Sequence, residues 1–236
     1  MKTVINDKRF TLEFGYDVDK NICGIVKRKY KLNNIFDNIS DIKKNNTNID
    51  LLVIASPTAF HLQSLELFLE FTNPSLILCE KPLANSYHEA KKIDSICNKR
   101  NVPIVINFMR RSLPAFIDLK KVINKNINQN HDVIIKYSGC FKNNGSHFVD
   151  LMNFIFGKPK KIIQKSCNQT KNNDFKVNAT VKYLNAICSY IPLHSEDVSD
   201  HEIQIMNNNQ KVLITRAGRC METVSYTHLR AHETNS

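Results

Sequence analysis

The sequence predicts an α/β domain built on a doubly wound parallel sheet, followed by an α+β domain whose open sheet is mostly antiparallel. Three observations lead there. From residue 11 to residue 106, short apolar runs alternate with amphipathic stretches, the order expected of parallel strands joined by crossover helices. Within Asp50-Leu-Leu-Val-Ile-Ala55 the apolar residues are continuous, as in a strand buried on both faces. Beyond residue 131, strand-like runs follow one another with a single helical segment between them.

Taken in order, Thr11 to Tyr16 reads as a strand, Lys20 to Lys31 as a helix and Asn34 to Phe36 as a short strand. After the apolar run at 50–55, Thr58 to Phe71 carries a helical stripe of Leu62, Leu65 and Leu69, and Ser75 to Cys79 is the next strand. Ser86-Tyr-His-Glu89 is a capping box, and the helix it opens turns Ala90, Ile93 and Cys97 to one side. Val102 to Ile106 is a further strand, and a helix runs through Ile123. The second domain reads as strands at Asp132 to Phe141, Ile162 to Ser166, Phe175 to Lys182, Ala186 to Ile191, Glu202 to Met206 and Lys211 to Thr215. One helix, His147 to Phe156, interrupts them.

Composition narrows the function classes. A chain of 236 residues with 42% hydrophobic and 23% charged residues can bury a core. No apolar run reaches the roughly 18 residues of a membrane span, and the first residues lack a signal-peptide core, so a cytoplasmic location is expected. The seven cysteines are scattered, with no Cys-x-x-Cys pair and no histidine cluster at ligand spacing, so neither disulfides nor a metal are expected. The net charge of +11 comes from lysines spread along the chain rather than gathered in a tract. This reads as compositional bias and not as nucleic-acid binding, although a basic surface favours an anionic substrate.

Four places carry candidate chemistry, each with a plain alternative. Asp17 follows the first strand, where a dinucleotide-binding fold puts the acid that bonds the adenosine ribose, but it also suits a helix-capping acid ahead of Lys20. Ser56, Pro57 and Thr58 stand at the carboxyl end of the buried strand, either as hydroxyls for a ribose or as an ordinary turn and cap. Glu80-Lys81-Pro82 ends the following strand; a desolvated lysine there can share a proton with a substrate hydroxyl, or Glu80 and Lys81 form a surface ion pair. In Asn143-Asn-Gly-Ser-His-Phe-Val-Asp150, His147 and Asp150 share a helical face, so that the acid orients the ring; Asn143 reaches the same pocket, and a packed or capping histidine is the alternative.

In order, Ser-Pro-Thr-x-x-His, Cys-Glu-Lys-Pro-Leu-Ala, Asn-Phe-x-Arg-Arg and Gly-Ser-His-x-x-Asp-Leu resemble the motifs of the glucose-fructose oxidoreductase, inositol dehydrogenase and MocA family (Gfo/Idh/MocA), over about residues 9 to 220. The resemblance implies a Rossmann-like NAD(P)-binding domain over residues 1–111 and a substrate and oligomerisation domain over residues 112–223. It makes Lys81 the catalytic lysine and His147 the active-site histidine, with Asn143 beside them. It assigns Ser56, Pro57, Thr58, His61, Glu80, Lys81 and Pro82, with Asp17, to the cofactor, and Arg110, Arg111, Asn143 and Asp150 to the substrate. The implied activity is hydride transfer at a sugar or nucleotide-sugar hydroxyl or carbonyl, in carbohydrate or surface-polysaccharide metabolism, with a homo-oligomer as the working form.

Two departures qualify it. Many family dehydrogenases carry an aspartate four residues before the histidine, where Asn143 stands here and cannot act as a base. None of the six glycines forms a Gly-x-Gly-x-x-Gly turn, so the first strand and its Gly-rich loop are expected to lie upstream of Met1, and the second sheet to stop early. This chain by itself is therefore expected to bind NAD weakly. An acid at Asp17 repels a 2′-phosphate, which makes NAD the expected cofactor and NADP the second choice. The alternatives are a dinucleotide-binding regulator without turnover and an NAD-dependent glycosidase. Residues 224–236 resemble a translated vector-derived tail and stand outside the fold argument.

Overall fold

The structure, a computed structural model, describes residues 7–43, 48–125, 128–170, 174–193, 201–218 and 220–226. The chain divides into two compact units, Met1–Asn107 and Phe108–Ser236. No helix among the described residues is long and apolar enough to cross a membrane.

In the first unit β1 (Gly15–Tyr16) pairs parallel with β2 (Ile35–Phe36), and α1 (Lys20–Tyr30) connects them. The Asp19 carboxylate opens α1 by accepting from the backbone N–H groups of Asn21 and Ile22, and Lys31 closes it in a left-handed conformation. The short helix α2 (Ile39–Lys43) has no counterpart in the sequence reading. Asn38 starts it by accepting from Ser40 N, and its one deeply buried side chain is Ile42.

A second parallel sheet has the order β3 (Leu51–Ile54), β4 (Leu76–Cys79), β5 (Ile104–Ile106), with Ile54 level with Cys79 and Cys79 level with Ile106. Between these strands run a 3-10 turn at Thr58–Phe60, α3 (His61–Leu69) and α4 (Tyr87–Arg100). Leu52, Ile54, Ile77 and Cys79 form one core with Leu65, Leu69, Ile93 and Cys97 from these helices. The expectation that the run at 50–55 is buried on both faces is corrected here, because Val53 is 49% exposed. A continuous apolar run does not say how many faces are covered. The capping box also differs in detail. Ser86 Oγ accepts from Glu89 N, but Glu89 reaches back to Asn85 N.

The second unit holds a seven-stranded sheet. Its strands are β6 (His131–Tyr137), β7 (Lys161–Gln169), β8 (Phe175–Lys182), β9 (Ala186–Pro192), β10 (Glu202–Met206), β11 (Gln210–Thr215) and β12 (Cys220–Ser225), in the order β12-β11-β10-β6-β9-β8-β7. Only β6 and β9 are parallel neighbours. Alternate residues of the central strands, among them Val133, Ile135, Cys188 and Tyr190, pack with Phe116, Leu119 and Ile123 of α5 (Pro114–Lys125) and with Phe148, Leu151 and Ile155 of α6 (Ser146–Phe156). At the outer edge β7 is exposed along its whole length and bulges against β8 between Ile162 and Gln164.

Several expected boundaries move. The strand expected to reach Phe141 stops at Tyr137, because Gly139 turns the chain at φ +70° and the Asn144 side chain bonds Ser138 O. Val224 and Ser225, set aside above as tail, are paired with Lys211 and Gln210 in β12, while residues 227–236 lie outside the described residues.

At the start of β6, His131 is 4% exposed and packs against Phe156. Burial holds its pKa below the ordinary 6.5, against the opposing pull of the bonds to Asn185 and Gln129 and of the Asp132 charge. Above that pH the ring is neutral in both states. Below it the unfolded chain takes up a proton that the folded chain resists, so stability falls as pH drops. Urea midpoints taken from about pH 7.5 to about pH 5.5 should fall less steeply in His131→Asn than in the parent. Parallel slopes would remove His131 from the acid response.

Candidate active site

In the first unit the loops after β3, β4 and β5 are laced together by main-chain bonds. Glu80 N donates to Ile54 O at 2.9 Å, and Asn107 N donates to Cys79 O at 2.8 Å. The Glu80 carboxylate accepts from Asn107 Nδ2 at 2.7 Å and from Lys81 N at 3.3 Å. It is thus a bracket between strand ends rather than simply the partner of the lysine next to it. Lys81 is half-buried, and the Lys81–Pro82 peptide is cis. Asn107 is the residue that sequence reasoning missed here. Counting register from Cys79 and Ile106 puts it beside Glu80.

At the end of β3, Ser56 Oγ lies 3.1 Å from Ser64 Oγ, and Pro57 leads the 3-10 turn that begins at Thr58. His61, assigned above to the cofactor, points inward instead. Its ring is 1% exposed, with Nε2 2.8 Å from Ser56 O and Nδ1 3.1 Å from Leu83 O. Asp17 is exposed just beyond β1, and its carboxylate accepts from Asp19 N at 2.9 Å. The cap of α1 is Asp19, so the capping role considered for Asp17 belongs two residues further on.

In the second unit the Asn143 segment is a π-helical turn, Phe141–Gly145, running directly into α6. Asn143 is exposed on it, and His147 sits in the first turn of α6 with its ring edge-on to Phe108 at 5.5 Å. The idea that Asp150 orients His147 is corrected. Arg111 Nε donates to Asp150 Oδ2 at 2.6 Å, and Arg111 Nη2 donates to Asp150 Oδ1, so both carboxylate oxygens serve the guanidinium fork. Arg110 is different. Its guanidinium lies 4.5 Å from the centre of the Phe148 ring, burial lowers its pKa, and Nη1 is buried with no hydrogen-bond partner among the described residues. A desolvated cation without a counter-charge is costly, and an anion placed there would relieve the cost.

Parallel strands whose carboxyl ends carry hydroxyls, a carboxylate bracket and a half-buried lysine define the first unit as a dinucleotide-binding domain. Residues 6–108 match the oxidoreductase family with an NAD-binding Rossmann fold, Gfo/Idh/MocA. An oxidoreductase of Formosa agariphila is 24% identical over 165 residues, which cover 59% of this chain and 50% of that protein. The chain therefore spans about half the length of the curated relative it matches.

Two solved structures share the fold at low identity. The WlbA dehydrogenase of Bordetella pertussis, in complex with NADH and UDP-GlcNAcA, has a TM-score of 0.72 at 15% identity, covering 90% of this chain and 73% of that one. A 3-ketoreductase of Actinomadura kijaniata, in complex with TDP-benzene and NADP, has a TM-score of 0.75 at 9% identity, covering 95% and 78%. NAD is the cofactor of the family.

Proposed function

We propose that the protein is an NAD-dependent oxidoreductase acting on a hydroxyl or carbonyl carbon of a sugar carried on a nucleotide. The observation that carries this reading is Glu80-Lys81-Pro82 at the carboxyl end of β4, with the Glu80 carboxylate held by Asn107 so that the lysine beside it has a fixed root. The nicotinamide and ribose ends of the cofactor fit the residues present: Ser56, Thr58 and Lys81 at the strand ends, and Asp17 for the adenosine ribose. No Gly-x-Gly-x-x-Gly turn for the diphosphate occurs among the described residues. When bound, NAD supplies the hydride acceptor.

Lys81 holds the substrate hydroxyl by its amine and takes up or returns the proton at that oxygen. His147 provides the second proton-handling group, since Asn143 has no acid to offer. Arg110, with its unmatched buried nitrogen, takes an anionic group of the substrate, which favours a sugar nucleotide over a neutral sugar. Asp17 disfavours a 2′-phosphate and so favours NAD over NADP.

The test is a panel of free and nucleotide-linked sugars, each incubated with NAD and with NADP while the reduced cofactor is followed by absorbance. We expect reduction of NAD with at least one nucleotide sugar, and a weaker response with NADP. Sugar release without net cofactor reduction would replace the reading with a glycosidase. Tight cofactor binding with no turnover across the panel would replace it with a regulator.

A further inference from the structure

His61 stands at the amino end of α3, yet its ring belongs to neither the helix surface nor the sheet edge. It is 1% exposed and sits between two loops, its contacts there lying 5 residues before it and 22 residues after it in sequence. Nε2 is 2.8 Å from the carbonyl of Ser56, in the loop after β3, and Nδ1 is 3.1 Å from the carbonyl of Leu83, in the loop after β4. The thiol of Cys79, the last residue of β4, lies 3.4 Å from the same Nδ1. Carbonyl oxygens only accept, so donation to both Ser56 O and Leu83 O takes a hydrogen on each ring nitrogen. With a hydrogen on Nε2 alone, the ring donates to Ser56 O while the bare Nδ1 accepts from Cys79, whose thiol burial has pushed to about 12 and which therefore keeps its proton. In both arrangements the ring ties the loop of Ser56 to the β4 side of the site.

We propose that His61 is a positioning residue, a staple that fixes the spacing between the hydroxyl loop Ser56-Pro57-Thr58 and the loop Glu80-Lys81-Pro82-Leu83. It acts through these loops and touches neither cofactor nor substrate. At the carboxyl ends of β3 and β4 the lacing described above ends with the bond from Glu80 N to Ile54 O, two residues before Ser56. His61 supplies the connection beyond that point. Its consequence for the cofactor rests on the proposed function, whereas its consequence for the loops does not.

The test compares His61→Leu, His61→Gln and His61→Asn by amide hydrogen exchange in peptides spanning residues 55–60 and 80–86. Leucine removes both bonds, and exchange should speed up roughly five- to tenfold in both peptides, while the interiors of α3 and α4 keep their protection. The glutamine amide stands where Nε2 stood, so His61→Gln should restore protection in 55–60 alone. The asparagine amide stands where Nδ1 stood, so His61→Asn should restore it in 80–86 alone.

This reciprocal pattern separates a staple from a filler of space, which would loosen both loops together in every variant or in none. Either of those two results overturns the proposal. Should His61→Leu fail to fold, the opposed behaviour of the Gln and Asn variants still decides. Calorimetry with NAD on the same proteins separates this proposal from the functional reading. Reciprocal exchange with unchanged NAD affinity supports the staple and counts against the cofactor contacts assigned to the loops.

Discussion

Replacing Lys81 by alanine is expected to lower turnover by about 10²–10⁴-fold, the range for loss of a positioned proton-transfer group. The side chain lies at the carboxyl end of β4, and its root is held by the bond from Asn107 to Glu80 and by the main-chain bond from Glu80 to Ile54. Those contacts all remain in the variant, because none uses the lysine amine. Circular dichroism should show the fold of the parent, and the loss should appear in kcat. An unchanged kcat on a substrate turned over by the parent would take Lys81 out of the chemistry.

The second large effect is on stability. Arg111→Ala should cost about 3 kcal/mol, because it strands the Asp150 carboxylate, which is 7% exposed, without its guanidinium. The side chain of Arg111 is itself 47% exposed. Asp150→Asn releases that arginine to water, keeps an acceptor toward it, and should cost about 1 kcal/mol. Urea denaturation of the two variants gives the comparison. If the asparagine variant is the less stable of the two, the interaction is governed by packing in α6 and not by a desolvated charge.

Much of the architecture was legible because period and composition speak locally. Phe175–Lys182 and Glu202–Met206 have the bounds their alternation suggests, since one face of each meets the helices and the other does not. Where the sequence reading falls short, the determinant is tertiary. β1 is two residues long although Thr11 to Tyr16 looks like a strand, and Phe14 instead stacks on Phe68 of α3 at 5.8 Å. β12 is not announced by its sequence, because none of Cys220-Met-Glu-Thr-Val-Ser225 is deeply buried and its apolar residues do not alternate; it is specified by its register on β11.

The candidate site divides in the same way. Glu-Lys-Pro is a local motif and could be read. The pairing of Arg111 with Asp150 and of Glu80 with Asn107 joins residues 39 and 27 positions apart, and no local pattern announces either. His61 stands in the local motif Ser-Pro-Thr-x-x-His, whereas its contacts with Ser56 O and Leu83 O are set by the tertiary fold.

The outer edge of the second sheet has one more implication. A nine-residue strand exposed from end to end would ordinarily serve as a template on which a stray chain could crystallise, strand upon strand. In β7 the extra residue Ile163 breaks the repeat early, and Lys161 and Lys165 bring two like charges to the rim. An incoming copy of the same strand would meet its own lysines and a ladder whose rungs change spacing after the second step. Sheet growth is therefore checked at this end by one added residue and two lysines.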